Sequence, residues 1–431
     1  MRFVLPRRAA ALLVSGAAAL GAACASRPEP IEVRPVEPPP PHRVEAVDTL
    51  TLAAPADVGL DAALPLRLDS LVDAALAAGA SPGAALAVGR YGRIVHLKGY
   101  GTIDRPRVSA RPDAYTLYDL ASLTKVVATT TAAMILEEQG RLDLARPVHA
   151  YVPEFDAPDK AGITVRMLLT HSGGLEAYAP LYEAGYDAVR GRAGYLAAIN
   201  ARPLKYAPGT KTVYSDWDMV LMQAVIERIA GRPLDAFVAD RVFRPLGMRD
   251  TRFLPDTADR ALRARIAPTA VDSTRGGLLR GVVHDGNAWA LGGVSGHAGL
   301  FASARDLAVF AQMLLAGGTY GGVRIVGAPT IARWTARQLP NVSRALGWDT
   351  PAAGSSGGRY MAPRAFGHTG FTGTSLWVDP ERGLFVVLLM NRTRGVAGEE
   401  GTRYIRLRRE VADAVGRAVV DQPVVDWDAR R

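Results

Sequence analysis

One segment of the chain places a weak nucleophile and a base one helical turn apart: Ser122-Leu123-Thr124-Lys125. A serine hydroxyl attacks a carbonyl only when a neighbour takes its proton and the developing charge is stabilised. The apolar spacing that follows predicts a helix over residues 122–139, closed by Gly140. At a helix start, unpaired N–H groups and the dipole favour developing negative charge. Lys125 projects from the same face as the hydroxyl, and desolvation would strip its charge and make it a base. The same letters also describe a capping serine followed by a solvent-facing lysine. With five lysines in the chain (Lys98, Lys125, Lys160, Lys205 and Lys211), Ser-x-x-Lys arises by chance roughly 0.2 times.

Two later segments join it. Tyr214-Ser215-Asp216 follows the turn Pro208-Gly209, which brings it to a cleft edge, and His368-Thr369-Gly370 opens an edge-strand segment over residues 368–378. Glycines there let a ligand approach the backbone closely. Ser-x-x-Lys, Tyr-x-Asp and His-Thr-Gly in this order resemble the three motifs of the serine β-lactamase and penicillin-binding-protein superfamily. The nearest branch is the class C-like one with its esterases and D-amino-acid peptidases. Further segments carry the resemblance: Tyr118-Asp119-Leu120-Ala121, Arg141-Leu142-Asp143-Leu144 with Pro147, Leu168 through Leu175, Tyr206-Ala207-Pro208-Gly209, and Pro245-Leu246-Gly247-Met248. Together they cover nearly all of residues 60–390.

The resemblance implies that Ser122 is the acylated nucleophile, Lys125 its proton partner and Tyr214 a second base or shuttle. Which of Lys125 and Tyr214 takes the first proton stays open. It also implies an oxyanion hole from the N–H groups of Ser122 and Phe371, with His368, Thr369 and Gly370 lining the substrate side. Two positions depart from the pattern. Asp216 stands where Asn is usual, and an ionised carboxylate accepts hydrogen bonds without donating them. His368 stands where Lys is common, which weakens the permanent charge for a substrate carboxylate. Both departures occur in the esterase-like branch and point away from efficient β-lactam hydrolysis.

These residues need a scaffold. Residues 65–78 read as a helix ended by Gly79, and residues 84–88 and 93–97 as a hairpin around Arg90-Tyr91-Gly92. The stretch from roughly 142 to 315 is mostly helical in pattern. Residues 373–378 and 384–389 return to strands around Asp379-Pro380-Glu381-Arg382-Gly383, and a last helix covers residues 402–419. Strands at both ends with helices between predict an α+β fold: an antiparallel sheet flanked by helices, with an inserted all-α lobe over roughly 142–315. The ligand cleft is expected where the lobes meet.

Other candidates read as structural. His284-Asp285-Gly286-Asn287 and Ser295-Gly296-His297 lack a compact metal-ligand motif and are expected in loops near the cleft mouth, so no metal or cofactor is expected. His171 reads as a structural hydrogen-bonder and Ser303-Ala304-Arg305-Asp306 as a capping box. No Gly-x-Ser-x-Gly elbow occurs, which disfavours an α/β-hydrolase triad.

The N-terminus reads as an export signal over residues 1–23: Arg2, Arg7 and Arg8, then an apolar run too short to span a bilayer, then small residues. Cys24, the single cysteine, sits where a bacterial lipoprotein carries its lipid, although the third residue before it is Gly21 and not the usual Leu. Cleavage after Ala23-Cys24-Ala25 would instead release a soluble exported protein. A Pro-rich tether is expected over residues 24–57, and the folded hydrolase domain over residues 58–431. The net charge of +9 comes from scattered arginines with no basic stripe, which disfavours nucleic acid. The expected partner is a small-molecule or muropeptide substrate, with membrane anchoring through Cys24. The rival reading is a catalytically weak or inactive envelope-tethered protein that binds cell wall.

Overall fold

The computed structural model describes residues 46–104, 110–184, 188–339, 341–394 and 400–430. The expected signal, Cys24 and most of the tether lie outside these residues. Among the described residues no helix is long and apolar enough to cross a membrane.

The elements that build the frame are β1 (Thr51–Leu52), α1 (Leu64–Ala77), β2 (Gly83–Arg90), β3 (Arg93–Gly101), α2 (Thr131–Glu138), α3 (Asp216–Ala230) and α4 (Ala304–Leu315). They are followed by β4 (Phe366–Thr369), β5 (Ser375–Asp379), β6 (Leu384–Met390) and α5 (Glu400–Arg417). Six strands form one sheet in the order β1-β3-β2-β6-β5-β4, so the two ends of the chain interleave. The β2–β3 turn is tight because Tyr91 and Gly92 both take positive φ, 49° and 77°.

Side chains alternate across this sheet, as a two-residue period requires. Leu86, Val88, Val386 and Leu388 face α1 and α5, where they meet Leu64, Leu68, Val72, Leu407, Val411 and Val415. Ala85, Ala87, Val387 and Leu389 face the other way, toward Leu307, Phe310 and Leu314 of α4. Both faces of β2 and β6 are therefore dry, and each fully buried Val or Leu contributes about 1.5–3 kcal/mol.

The α+β architecture matches the expectation, with four differences. The folded unit reaches back before residue 58: β1 pairs parallel with β3, and the Leu50 amide donates to the Tyr320 hydroxyl at 3.0 Å. Apolar Leu50 is buried there, which a solvated tether could not achieve. The helical region also carries short strands, notably Arg252–Phe253 and Leu300–Ala302, which join Tyr118–Asp119 in a three-stranded sheet. The predicted helix after Ser122 opens as a π-helix over Lys125–Thr130 before α2, with the Thr131 hydroxyl donating to the Val126 carbonyl five residues back. His368 and Thr369 end edge strand β4 and open no strand; the chain turns over residues 370–374 and returns as β5.

Candidate active site

Ser122 is delivered by a strained turn. Ala121 takes φ +46°, a region that costs an L-residue about 1–3 kcal/mol unless its surroundings impose it. Buried Asp119 imposes it: its carboxylate accepts the Ala121 N–H at 2.8 Å and, from a distant loop, the His284 N–H at 2.7 Å. Burial pushes Asp119 up to about 6. Its folded value thus exceeds the 3.8 of the free side chain, so the stability it adds is present at low pH and lost as pH rises through about 6. Asp119→Asn, which also surrenders one of the two acceptors, should fall further below wild type in melting temperature at pH 5 than at pH 7.5. A gap independent of pH would count against this assignment.

The turn over residues 370–374 is pressed against the same segment. The Thr372 hydroxyl donates to the Asp119 carbonyl at 2.7 Å, and the Thr374 hydroxyl to the Leu120 carbonyl at 2.9 Å. A Cβ on Gly370 would lie 2.3 Å from the Leu120 oxygen, so only glycine allows this approach. From α5, buried Arg408 donates to the carbonyls of Gly373 (3.0 Å), Gly370 (2.5 Å) and Thr374 (2.7 Å). The N–H groups of Ser122 and Phe371 donate to no acceptor among the described residues. Such a pair of free donors suits an oxyanion. The Phe371 ring is exposed and stacks on His284 at 5.6 Å, with the Arg392 guanidinium 4.0 Å above it.

Lys125 is wholly buried, and its Nζ lies 2.9 Å from Ser122 Oγ, 2.7 Å from Asp216 Oδ1 and 3.1 Å from the His297 carbonyl. Tyr214 faces both: Lys125 Nζ lies 4.8 Å from its ring centroid, and its hydroxyl is coupled electrostatically to Lys125 and Ser122. The expectation that burial discharges Lys125 is corrected here. Burial does pull it down, but the Asp216 carboxylate and Tyr214 outweigh this and hold it above the ordinary lysine value. Burial raises Tyr214, against the opposing pull of Lys125.

Tyr214 is held from behind. Its ring lies 4.7 Å from His171 and 5.8 Å from His368, with Arg344 at 5.1 Å. His171 Nδ1 accepts the Ser215 N–H at 3.3 Å and meets Asp218 Oδ2 at 2.9 Å. Burial lowers His171 and raises Asp218, so desolvation favours the neutral form of each. His368 is buried and pulled down to about 3 by burial, Lys125 and Arg344; its Nδ1–H donates to the Thr369 carbonyl at 2.8 Å. It supplies no cation near neutral pH. Arg344, ion-paired with Asp349 at 2.5 Å, is the cation beside Tyr214.

Of the two loops expected at the cleft mouth, His284 is there, stacked on Phe371. His297 lies deeper: it is buried, bonded through Nδ1 to Ser295 (2.7 Å) and through Nε2 to Asp285 (2.9 Å). Asp216, Asp285 and His297 offer ligand atoms within 4.8 Å of one another. Asp216 already faces an ammonium and His297 Nε2 already faces Asp285, so a metal ion would meet the charge of Lys125. The cluster reads as a charge network and not as a metal centre.

Fold and cluster together define a hydrolase of the β-lactamase and penicillin-binding-protein type. The profile of the Beta-lactamase family matches residues 68–410, and the chain belongs to that family. A protein of Salmonella agona (strain SL483) described as "Putative D-alanyl-D-alanine carboxypeptidase" is 35% identical over 373 residues, covering 80% of this chain and 86% of that protein. Among solved structures, EstCE1, "a hydrolase with promiscuous acyltransferase activity", superposes with TM-score 0.66 at 24% identity, covering 82% of this chain and 98% of that one. A penicillin-binding protein homologue from Caulobacter crescentus gives TM-score 0.63 at 24% identity, covering 83% and 99%. At that identity the structural neighbours speak for the fold alone.

Proposed function

We propose that this chain is an exported serine hydrolase that forms an acyl-enzyme on Ser122. The observation that carries the reading is the 2.9 Å contact of Ser122 Oγ with Lys125 Nζ, beside the Tyr214 hydroxyl and facing two free N–H donors. Ser122 Oγ attacks the acyl carbon, the N–H groups of Ser122 and Phe371 hold the oxyanion, and the Lys125–Tyr214 pair returns the proton to the leaving group. Water then releases the acyl group by the same path in reverse.

Short esters fit this site better than β-lactams or D-alanyl-D-alanine peptides. Asp216 is engaged by Lys125 and His368 is neutral, so neither offers the amide partner and cation that a β-lactam carboxylate would use. The curated relative's description keeps D-alanyl peptides as the second class to test. A purely binding role would not need Ser122, Lys125 and Tyr214 assembled together. The charged start, apolar run and Cys24 support export and anchoring through a lipid.

One experiment tests chemistry and address together. Cells expressing the full chain are treated with a fluorophosphonate, p-nitrophenyl butyrate or a penicillin, then fractionated and analysed by mass spectrometry. The expected result is a fluorophosphonate adduct on the Ser122 peptide in the membrane fraction, released by Cys24→Ser, with faster turnover of the ester than of the penicillin. An adduct elsewhere sinks the mechanism, and a soluble wild type beginning at Ala25 or Ser26 sinks the anchor.

A further inference from the structure

The Lys125 ammonium has three N–H bonds and three acceptors placed around it: Ser122 Oγ, Asp216 Oδ1 and the His297 carbonyl at 2.9, 2.7 and 3.1 Å. An ammonium so placed has no lone pair, and it cannot take the serine proton until it has released one of its own. The His297 carbonyl cannot receive a proton. A carboxylate at 2.7 Å can. We propose that Asp216 is the resident proton acceptor of the site, reached from Ser122 through Lys125, and not a substrate contact.

The inference rests on the acyl-enzyme reading above and specifies its proton path. As the bond from Ser122 Oγ to the acyl carbon forms, the hydroxyl proton passes to Lys125 Nζ while Lys125 passes one of its own to Asp216. When the bond to the leaving group breaks, the proton retraces that path, and Tyr214, whose ring lies 4.8 Å from Lys125 Nζ, relays it to the departing atom. No proton is gained or lost over the cycle. An Asn at this position could hold Lys125 but not take a proton from it. A site with Asn must therefore begin with its amine or phenol already deprotonated.

Other ionisable groups face Asp216, and none takes over this part. Asp285 is occupied by His297 Nε2 at 2.9 Å and by the Ala288 N–H at 2.7 Å. Asp218 is taken up by His171 Nδ1 at 2.9 Å. Tyr178 and Tyr214 are phenols that burial keeps neutral. Asp216 opens α3, where the helix dipole favours a negative charge, and its N–H donates to the Ala177 carbonyl at 3.1 Å, which fixes its position. Because it acts through Lys125, it is a positioning residue in the proton path.

The test is the pH dependence of kcat/KM on p-nitrophenyl butyrate for the full chain, Asp216→Asn and Asp216→Glu, each checked for folding by circular dichroism. In Asp216→Asn the amine must lose its proton to solvent before it can act. The acid limb should move at least about one pH unit toward alkaline, with activity down about 10-fold or more at pH 6 and close to wild type at pH 9. Asp216→Glu should keep the wild-type limb. If Asp216→Asn does not fold, Asp216→Ser, which leaves room for water, is expected to move the limb in the same direction. A limb that stays put, whether activity holds or falls evenly across pH, overturns the proposal while leaving the Ser122 mechanism intact. Absence of any Ser122 adduct in the wild type overturns both.

Discussion

Ser122→Ala should abolish covalent labelling by a fluorophosphonate and reduce ester turnover to background. No other serine of the described residues lies against a buried lysine and a tyrosine hydroxyl together. Lys125→Ala and Tyr214→Phe should each reduce kcat by at least about 100-fold, the scale of a positioned proton carrier and equal to about 2.7 kcal/mol of barrier. Lys125→Ala carries a second penalty, because it leaves Asp216 facing a cavity with no cation. The double variant should be little worse than the poorer single one, since the groups act as one unit. Persistent labelling of Ser122→Ala at the wild-type rate would remove the nucleophile from this account, and additive losses would separate Lys125 from Tyr214.

Much of the frame was legible because it is local. The short apolar runs of β2 and β6, the apolar spacing of α1 and the Gly79 that follows it all lie in short windows. The parallel pairing of β1 was not legible, because two residues, Thr51 and Leu52, carry no period and their partner lies forty residues on. The motif residues Ser122, Lys125 and Tyr214 come together as their order suggested. Asp216 is expected from its motif on the substrate side; its contact with Lys125 depends on how α3 docks, which no window of sequence contains.

The residues that sequence reasoning passed over have one property in common. Asp119, His297 and Arg408 act through main-chain partners far away in sequence: Asp119 on the His284 amide, His297 through its own carbonyl on Lys125, Arg408 on three carbonyls of the 370–374 turn. A main-chain partner has no residue identity, so it leaves no paired letters to find. Arg408 is further hidden among the many arginines of a chain whose basic residues number 51. Asp119 and His297 left a trace, the one in the Tyr118–Ala121 segment that carries the family resemblance and the other in Ser295-Gly296-His297, but neither segment shows the contacts that matter.

Arg408 is where that blindness matters most for activity. Its guanidinium is buried beneath the turn that presents the Phe371 N–H, and among the described residues it has no carboxylate partner; its hydrogen bonds go to the carbonyls of Gly370, Gly373 and Thr374. Arg408→Met keeps much of the volume and removes every donor; the carbonyls of Gly370 and Thr374 keep the Gly373 and Gly370 N–H groups, and that of Gly373 is left unpaired at roughly 1–3 kcal/mol. Removing the buried charge returns part of that, so a net loss of about 1–2 kcal/mol in stability is expected. The hydroxyls of Thr372 and Thr374 still tie the turn to Asp119 and Leu120, so the turn should remain but drift. An oxyanion donor out of place costs about 100- to 1000-fold in kcat. That loss should appear in kcat, with KM moving much less, when rates are divided by the concentration of sites titrated with the fluorophosphonate. Arg408→Lys, which can restore one or two of the three bonds, should recover part of both losses. Wild-type kcat in the folded fraction of Arg408→Met would show that the turn holds Phe371 without help from α5.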